Sequence, residues 1–125
     1  MIENQGRTVC IVDDDASLRR SLRNLLMSVG FQVEAFQSAE AFLASVHRQH
    51  TGCMVLDLRM EGMSGLELLR HLGATGSRIP VIILTAHGDE DTRQRTLQAG
   101  AVAFLTKPFK SEALVDAVRS ALSTV

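Results

Sequence analysis

The sequence predicts an α/β fold of the doubly wound class: a parallel five-stranded sheet in strand order 2-1-3-4-5, with helices on both faces. Three observations predict it. Apolar runs without polar alternation recur at residues 8–12, 53–56, 80–84 and 101–105, the pattern of strands buried on both faces. Helical apolar periods stand between these runs. Strand and helix patterns alternate five times, with short connections and no linker, repeat or low-complexity segment. Such alternation implies right-handed crossovers and a parallel sheet. Of the doubly wound orders, 2-1-3-4-5 suits five strands and sets the first beside the third.

Composition narrows the class further. A chain of 125 residues is one domain, able to bury about two thirds of its unfolded surface. The formal net charge is −1, and lysine occurs only at Lys107 and Lys110, which argues against a nucleic-acid or membrane surface. No apolar stretch reaches the length of a membrane span, and the start MIENQGR is polar, with no signal-peptide core; a cytoplasmic protein is expected. Cys10 and Cys53 both fall inside apolar strand runs. Each reads as a small buried hydrophobe rather than half of a disulfide, and they form no metal pattern.

The elements follow in order. Residues 1–7 read as a flexible lead. Thr8–Val12 is the first buried strand, ending in Asp13, Asp14 and Asp15, of which Asp15 is placed to cap the next helix. That helix carries Leu18, Leu22, Leu25, Leu26 and Val29 on one face and Arg19, Arg20 and Arg23 on the other; Gly30 ends it in a left-handed conformation. Phe31 to Phe36 alternates, as an edge strand would. Ser38 caps a second helix with Phe42, Leu43 and Val46 inward, and His47 and His50 at its far end read as solvated rather than as metal ligands. The third strand, Cys53 to Leu56, runs directly into Asp57, with Gly62 and Gly65 close behind. Leu66, Leu68, Leu69 and Leu72 mark a third helix, and Pro80 to Thr85 is a strand with a hydroxyl at its end. The helix between Gly88 and Gly100 has few large apolar residues, chiefly Leu97, and is expected to be weakly anchored. Ala101 to Thr106 is the fifth strand, followed by Lys107 and Pro108. Ser111 is expected to cap a last helix with Leu114, Val115, Val118 and Leu122 inward.

Because all five strands run the same way, their carboxyl ends share one edge, where ligands bind in open α/β sheets. The first strand delivers Asp13 and Asp14, the third Asp57, the fourth Thr85 and the fifth Lys107. One Asp would suffice to favour a helix N-terminus; carboxylates concentrated on neighbouring strand ends make sense around a cation. A small set of hard oxygen ligands, with room for water and substrate oxygens, favours Mg²⁺ over Ca²⁺. A carboxylate beside Mg²⁺, a hydroxyl and an ammonium can carry out phosphoryl transfer, with Asp57 as nucleophile and an aspartyl phosphate as product.

The set Val12-Asp13-Asp14, Leu56-Asp57-Leu58-Arg59-Met60, Thr85-Ala86 and Lys107-Pro108-Phe109 resembles the receiver domain of bacterial two-component response regulators, across essentially the whole chain. The stretches 85–89 and 100–109 look most like receivers of the FixJ type. The resemblance implies the flavodoxin-like (βα)5 architecture and makes Asp57 the phosphoacceptor for a sensor histidine kinase. It implies Mg²⁺, with Mn²⁺ able to substitute, held by Asp14, Asp57 and the backbone carbonyl of Arg59, with Asp13 acting through water. It further implies Thr85 and Phe104 as a switch pair, Lys107 as the phosphate-contacting ammonium, and a cis peptide at Lys107-Pro108. For Phe104 the alternative is plain core packing.

Two features stand out against that likeness. The family commonly has proline four residues after the phosphoacceptor; this chain has Glu61, which predicts a more mobile loop and altered metal affinity. Arg59 and His87 flank the approach of water to the phosphoryl group, where their side chains either help set the lifetime of the aspartyl phosphate or are simply solvated. The helix after Gly88, the fifth strand and the last helix form the expected output face, controlling homodimerisation or an attached DNA-binding domain. The sequence ends at Val125 with no linker or effector; the expectation is that it either acts alone or is an excised receiver, residues 1–125, and the likeness favours the second. Rival readings fare worse. A haloacid-dehalogenase-type hydrolase needs a second Asp where Arg59 stands. A flavodoxin-like cofactor binder needs a Gly-, Ser- or Thr-rich loop where Asp13 to Asp15 stand. A non-phosphorylated pseudo-receiver serving only dimerisation has no need of the intact Asp13, Asp14, Asp57, Thr85 and Lys107 set.

Overall fold

Neighbouring residues on an extended strand point to opposite faces, and in this protein both faces are core. The computed structural model describes residues 8–46 and 48–123. Strands β1 (Thr8–Val12), β2 (Val33–Phe36), β3 (Thr51–Leu56), β4 (Val81–Thr85) and β5 (Ala103–Thr106) alternate with helices α1 (Ala16–Ser28), α2 (Ala39–Ala44), α3 (Gly65–Ala74), α4 (Glu90–Gln98) and α5 (Ser111–Ser123). The sheet is parallel throughout, in the order β2-β1-β3-β4-β5. This is the flavodoxin-like architecture that the alternation predicts.

Val9, Ile11, Cys53, Val55, Ile82 and Leu84 pack on one side with Leu22 and Leu26 of α1 and Leu114, Val115 and Val118 of α5. Cys10, Val12, Met54, Leu56, Val81 and Ile83 pack on the other with Phe42 of α2 and Leu68, Leu69 and Leu72 of α3. The two thiols thus lie on opposite faces of the sheet, which rules out a bridge between them. Burial pushes Cys10 up to about 11 and Cys53 up to about 12, so both remain protonated thiols. Among the described residues, no helix is long and apolar enough to cross a membrane.

Several local expectations need correction. Residues 1–7 and His47 lie outside the described residues. The second helix stops at Ala44, and Val46, expected inward, is 76% exposed. His50 belongs to a short 3-10 turn, Arg48–His50, rather than to that helix. An apolar residue two positions past a six-residue helix has turned off its inner face. Val29 lies past the last turn of α1 as its C-cap and is exposed. Arg19 does not simply face away: its Nη1 donates to the Asp13 carbonyl at 2.8 Å, because a long guanidinium can reach back over the start of its own helix. The α5 helix starts at Ser111 instead of being capped by it, and the Lys110 carbonyl accepts from Ala113 and Leu114. In α4 the fully buried side chain is Thr96; Leu97 packs at the edge of the core. Asp15 caps α1 by accepting from the Leu18 N–H, and Gly30 has φ +101°.

A helix as short as α2 has little intrinsic stability and depends on its packing. Phe42 supplies it, fully buried and edge-on to Phe36 at 5.6 Å between ring centroids. Phe42→Ala is expected to cost about 3–5 kcal/mol in urea unfolding; a loss below about 1 kcal/mol would show that α2 is held by something else.

Candidate functional site at the carboxyl edge of the sheet

The central strands end in register, and that register assembles the site. The Asp57 N–H donates to the Val12 carbonyl at 3.0 Å, extending the β1–β3 ladder one step and setting Asp57 beside Asp13. Across the sheet, the Lys107 N–H donates to the Thr85 carbonyl at 2.9 Å, closing the β4–β5 ladder in the same way. The Lys107-Pro108 peptide is cis. From there the Lys107 ammonium reaches back over β4, to 3.2 Å from Asp13 Oδ2 and 3.5 Å from Asp57 Oδ2.

Asp13 and Asp57 are 3% and 8% exposed, whereas Asp14 faces solvent. The three carboxylates each offer an oxygen within 4.8 Å of the others. Hard oxygens at that spacing, with an open side at Asp14, fit a divalent cation that keeps several waters. Their other oxygens are partly spoken for. Asp13 Oδ1 accepts the Asp15 N–H at 2.9 Å, and Asp57 Oδ1 accepts the Leu58 N–H at 2.7 Å. Burial raises the Asp13 carboxyl above its ordinary value, and the nearby Asp57 charge adds to this; the Asp15 N–H and Lys107 pull the other way without overcoming it.

Thr85 is fully buried, and its Oγ1 accepts the His87 N–H at 3.2 Å. Phe104 lies across from Ile83 in the β4–β5 register and is half-buried at the margin of the core. Gly88 lies so close to the side chains of Thr106 and Phe104 that a Cβ there would collide with them. The side chains of Arg59 and His87 are exposed. Arg59 lies near enough to Asp89 to help hold that carboxyl below its usual range, after the larger effects of the Thr92 N–H and hydroxyl. The structure therefore brings Asp13, Asp14, Asp57 and Lys107 into one cluster. Thr85 adjoins it through the backbone of Lys107, while Arg59 and His87 stand at its rim. Sequence reasoning missed Arg19, which anchors the Asp13 carbonyl, and Glu40, whose carboxylate accepts the Met63 N–H in the loop after Asp57. Neither has a sequence signal beyond being a polar residue in the first turn of a helix.

The fold and this acidic cluster agree with what comparison with known proteins finds. A family model described as the response regulator receiver domain matches residues 9–119. The response regulator protein TodT of Pseudomonas putida is 42% identical over 121 residues, covering 97% of this chain and 53% of that protein. The transcriptional regulatory protein FixJ of Rhizobium meliloti is 46% identical over 114 residues, covering 91% of this chain and 56% of that one. The crystal structure of FixJ-N superposes with a TM-score of 0.86 at 45% identity, over 94% of each chain. The chain belongs to the response-regulator receiver family, with FixJ-type receivers among its relatives, and membership implies phosphorylation-dependent signalling. It spans about half the length of the curated relatives it matches.

The raised Asp13 carboxyl has a consequence for stability. A carboxyl whose folded pKa lies above its unfolded value favours folding at low pH, and that contribution is lost as pH rises through the folded value. In EDTA, Asp13→Asn is therefore expected to raise the melting temperature at pH 7 by a few degrees. The gain should shrink as pH falls toward the ordinary aspartate range, about 3.9. Thermal unfolding at pH 7 and pH 4 checks this; a variant less stable than wild type at pH 7 would show that its pairing with Lys107 outweighs its burial.

Proposed function

We propose that this chain is a phosphorylation-operated switch in which Asp57 takes a phosphoryl group from a sensor histidine kinase. The observation that carries the reading is the Lys107 ammonium set within 3.5 Å of Asp57 and 3.2 Å of Asp13, in a cluster of three carboxylates. Mg²⁺ fits that cluster, with Mn²⁺ able to substitute; Asp14, Asp57 and the Arg59 carbonyl would hold it, with Asp13 acting through water. When bound, it supplies neutralisation of the phosphoryl oxygens.

The remaining steps belong to the chain. A carboxylate oxygen of Asp57 attacks phosphorus; the P–N bond to the kinase histidine breaks and the imidazole leaves with its electron pair. Lys107 stabilises the charge on the equatorial oxygens as it develops. Among the described residues Thr85 Oγ1 accepts from His87 and donates to none, so its proton can be donated to a phosphoryl oxygen. Movement of Thr85 toward the phosphate vacates space that Phe104 can turn to fill. The shift biases the face formed by α4, β5 and α5, where a cleft of about 360 Å³ lies between Gly88, Arg93, Phe104, Phe109 and Lys110. Phosphate acts only by binding one packing better than the other. The readout would be homodimerisation, or control of a DNA-binding effector domain in the same polypeptide, in the cytoplasm. Water later attacks phosphorus, releasing inorganic phosphate and restoring the carboxylate.

With acetyl phosphate and Mg²⁺, intact mass is expected to show one phosphoryl group on the wild type and none on Asp57→Asn. Equal labelling of the two, or labelling at another residue, would end this reading. Arg59→Ala and His87→Ala are each expected to change the rate of phosphate loss several-fold while leaving the labelled site unchanged. Dephosphorylation rates indistinguishable from wild type would make both side chains bystanders.

A further inference from the structure

The loop that follows Asp57 is closed at its base by its own backbone and gripped near its crown by a different element. At the base, the Gly65 N–H donates to the Leu58 carbonyl at 2.9 Å, and Ser64 and Glu67 form a reciprocal capping box. Near the crown, Glu40 in the first turn of α2 accepts the Met63 N–H on Oε2 at 2.8 Å, across 23 positions of sequence. Gly62 makes the approach possible. It has φ +79°, and a Cβ built there would stand 2.6 Å from the same Oε2, so a side chain would both strain the turn and push the carboxylate away.

The Met63 N–H has the larger effect of the two backbone groups that hold the Glu40 carboxyl below its usual range, its own N–H being the other. Ser38 already caps α2 by accepting the Ala41 N–H at 3.0 Å, and the Glu40 side chain is exposed and belongs to neither core layer. Glu40, Asp14, Glu61 and Gly62 border a common cleft of about 620 Å³, which places the tether next to the acidic cluster. The loop it grips carries Arg59, whose carbonyl the proposed cation site requires.

We propose that Glu40 is a positioning residue for the divalent-cation site, fixing through the Met63 N–H the loop from which the Arg59 carbonyl reaches the metal. The tether supplies from α2 a restraint that Glu61 cannot supply from within the loop. The inference rests on the reading of Asp57 as a magnesium-dependent phosphoacceptor.

The test separates tether from charge. Mg²⁺ affinity is measured by calorimetry at fixed ionic strength for the wild type, Glu40→Ala, Glu40→Gln and Glu40→Asp. Amide hydrogen exchange at Met63 and the melting temperature are read on the metal-free proteins. Glu40→Ala is expected to weaken Mg²⁺ binding about three- to tenfold and to speed Met63 exchange, with the melting temperature unchanged. Glu40→Gln keeps an oxygen that can accept the same N–H and should stay near wild type. Glu40→Asp keeps the charge but is one methylene short of Met63, and should fall with Glu40→Ala. Adding Glu61→Pro to Glu40→Ala is expected to restore affinity. The proposal is overturned if Glu40→Ala binds Mg²⁺ like the wild type, or if Glu40→Gln is as weak as Glu40→Ala, which would make charge the agent. A wild type that neither binds Mg²⁺ nor labels at Asp57 would instead defeat the phosphoacceptor reading itself.

Discussion

The ammonium of Lys107, drawn between the carboxylates of Asp13 and Asp57, is the interaction on which the site depends. Two nearly buried acidic groups on adjacent strands repel each other, and water is too scarce there to screen them. A single cation offsets part of that repulsion without filling the open side at Asp14. The arrangement exists only because three separate strands terminate at one edge. A reversal of any one of them would carry its residue to the opposite end of the sheet. Parallel topology is therefore a requirement of the cluster, and the apolar runs that enforce it are as much a part of the site as the polar groups.

That dependence explains why the polar cluster was legible in the chain itself. Asp13, Asp57 and Thr85 each follow immediately on an apolar run, and Lys107 follows one residue later, after Thr106; one topological rule places all such positions together. The outer bounds of the strands were less legible. Phe31 and Ala101 join the core as hydrophobes without being paired in the sheet, because burial and ladder pairing are separate demands on a residue. Val46 misled for the opposite reason: its apolar side chain lies beyond the end of its helix and outside the core.

Glu40 and Arg19 show where local pattern stops being informative. Both are charged residues on the outer surface of helices, where a solvated side chain is the ordinary outcome. Each instead bonds to backbone at the rim of the site, Arg19 to the Asp13 carbonyl and Glu40 to the Met63 N–H. These contacts depend on loop paths that follow from tertiary packing and carry no periodicity. The supporting shell of a site built on loop backbone is thus harder to read than the groups it supports.

The buried threonine of α4 has a mechanical meaning. Thr96 is fully enclosed, yet its hydroxyl donates to the Arg93 carbonyl of its own helix at 2.9 Å. A polar group that satisfies itself within its own segment places no directional demand on the sheet beneath. Were the helix to shift over that surface, the hydroxyl would travel with its acceptor. A shift of that kind would break no hydrogen bond of this hydroxyl and would exchange only van der Waals contact.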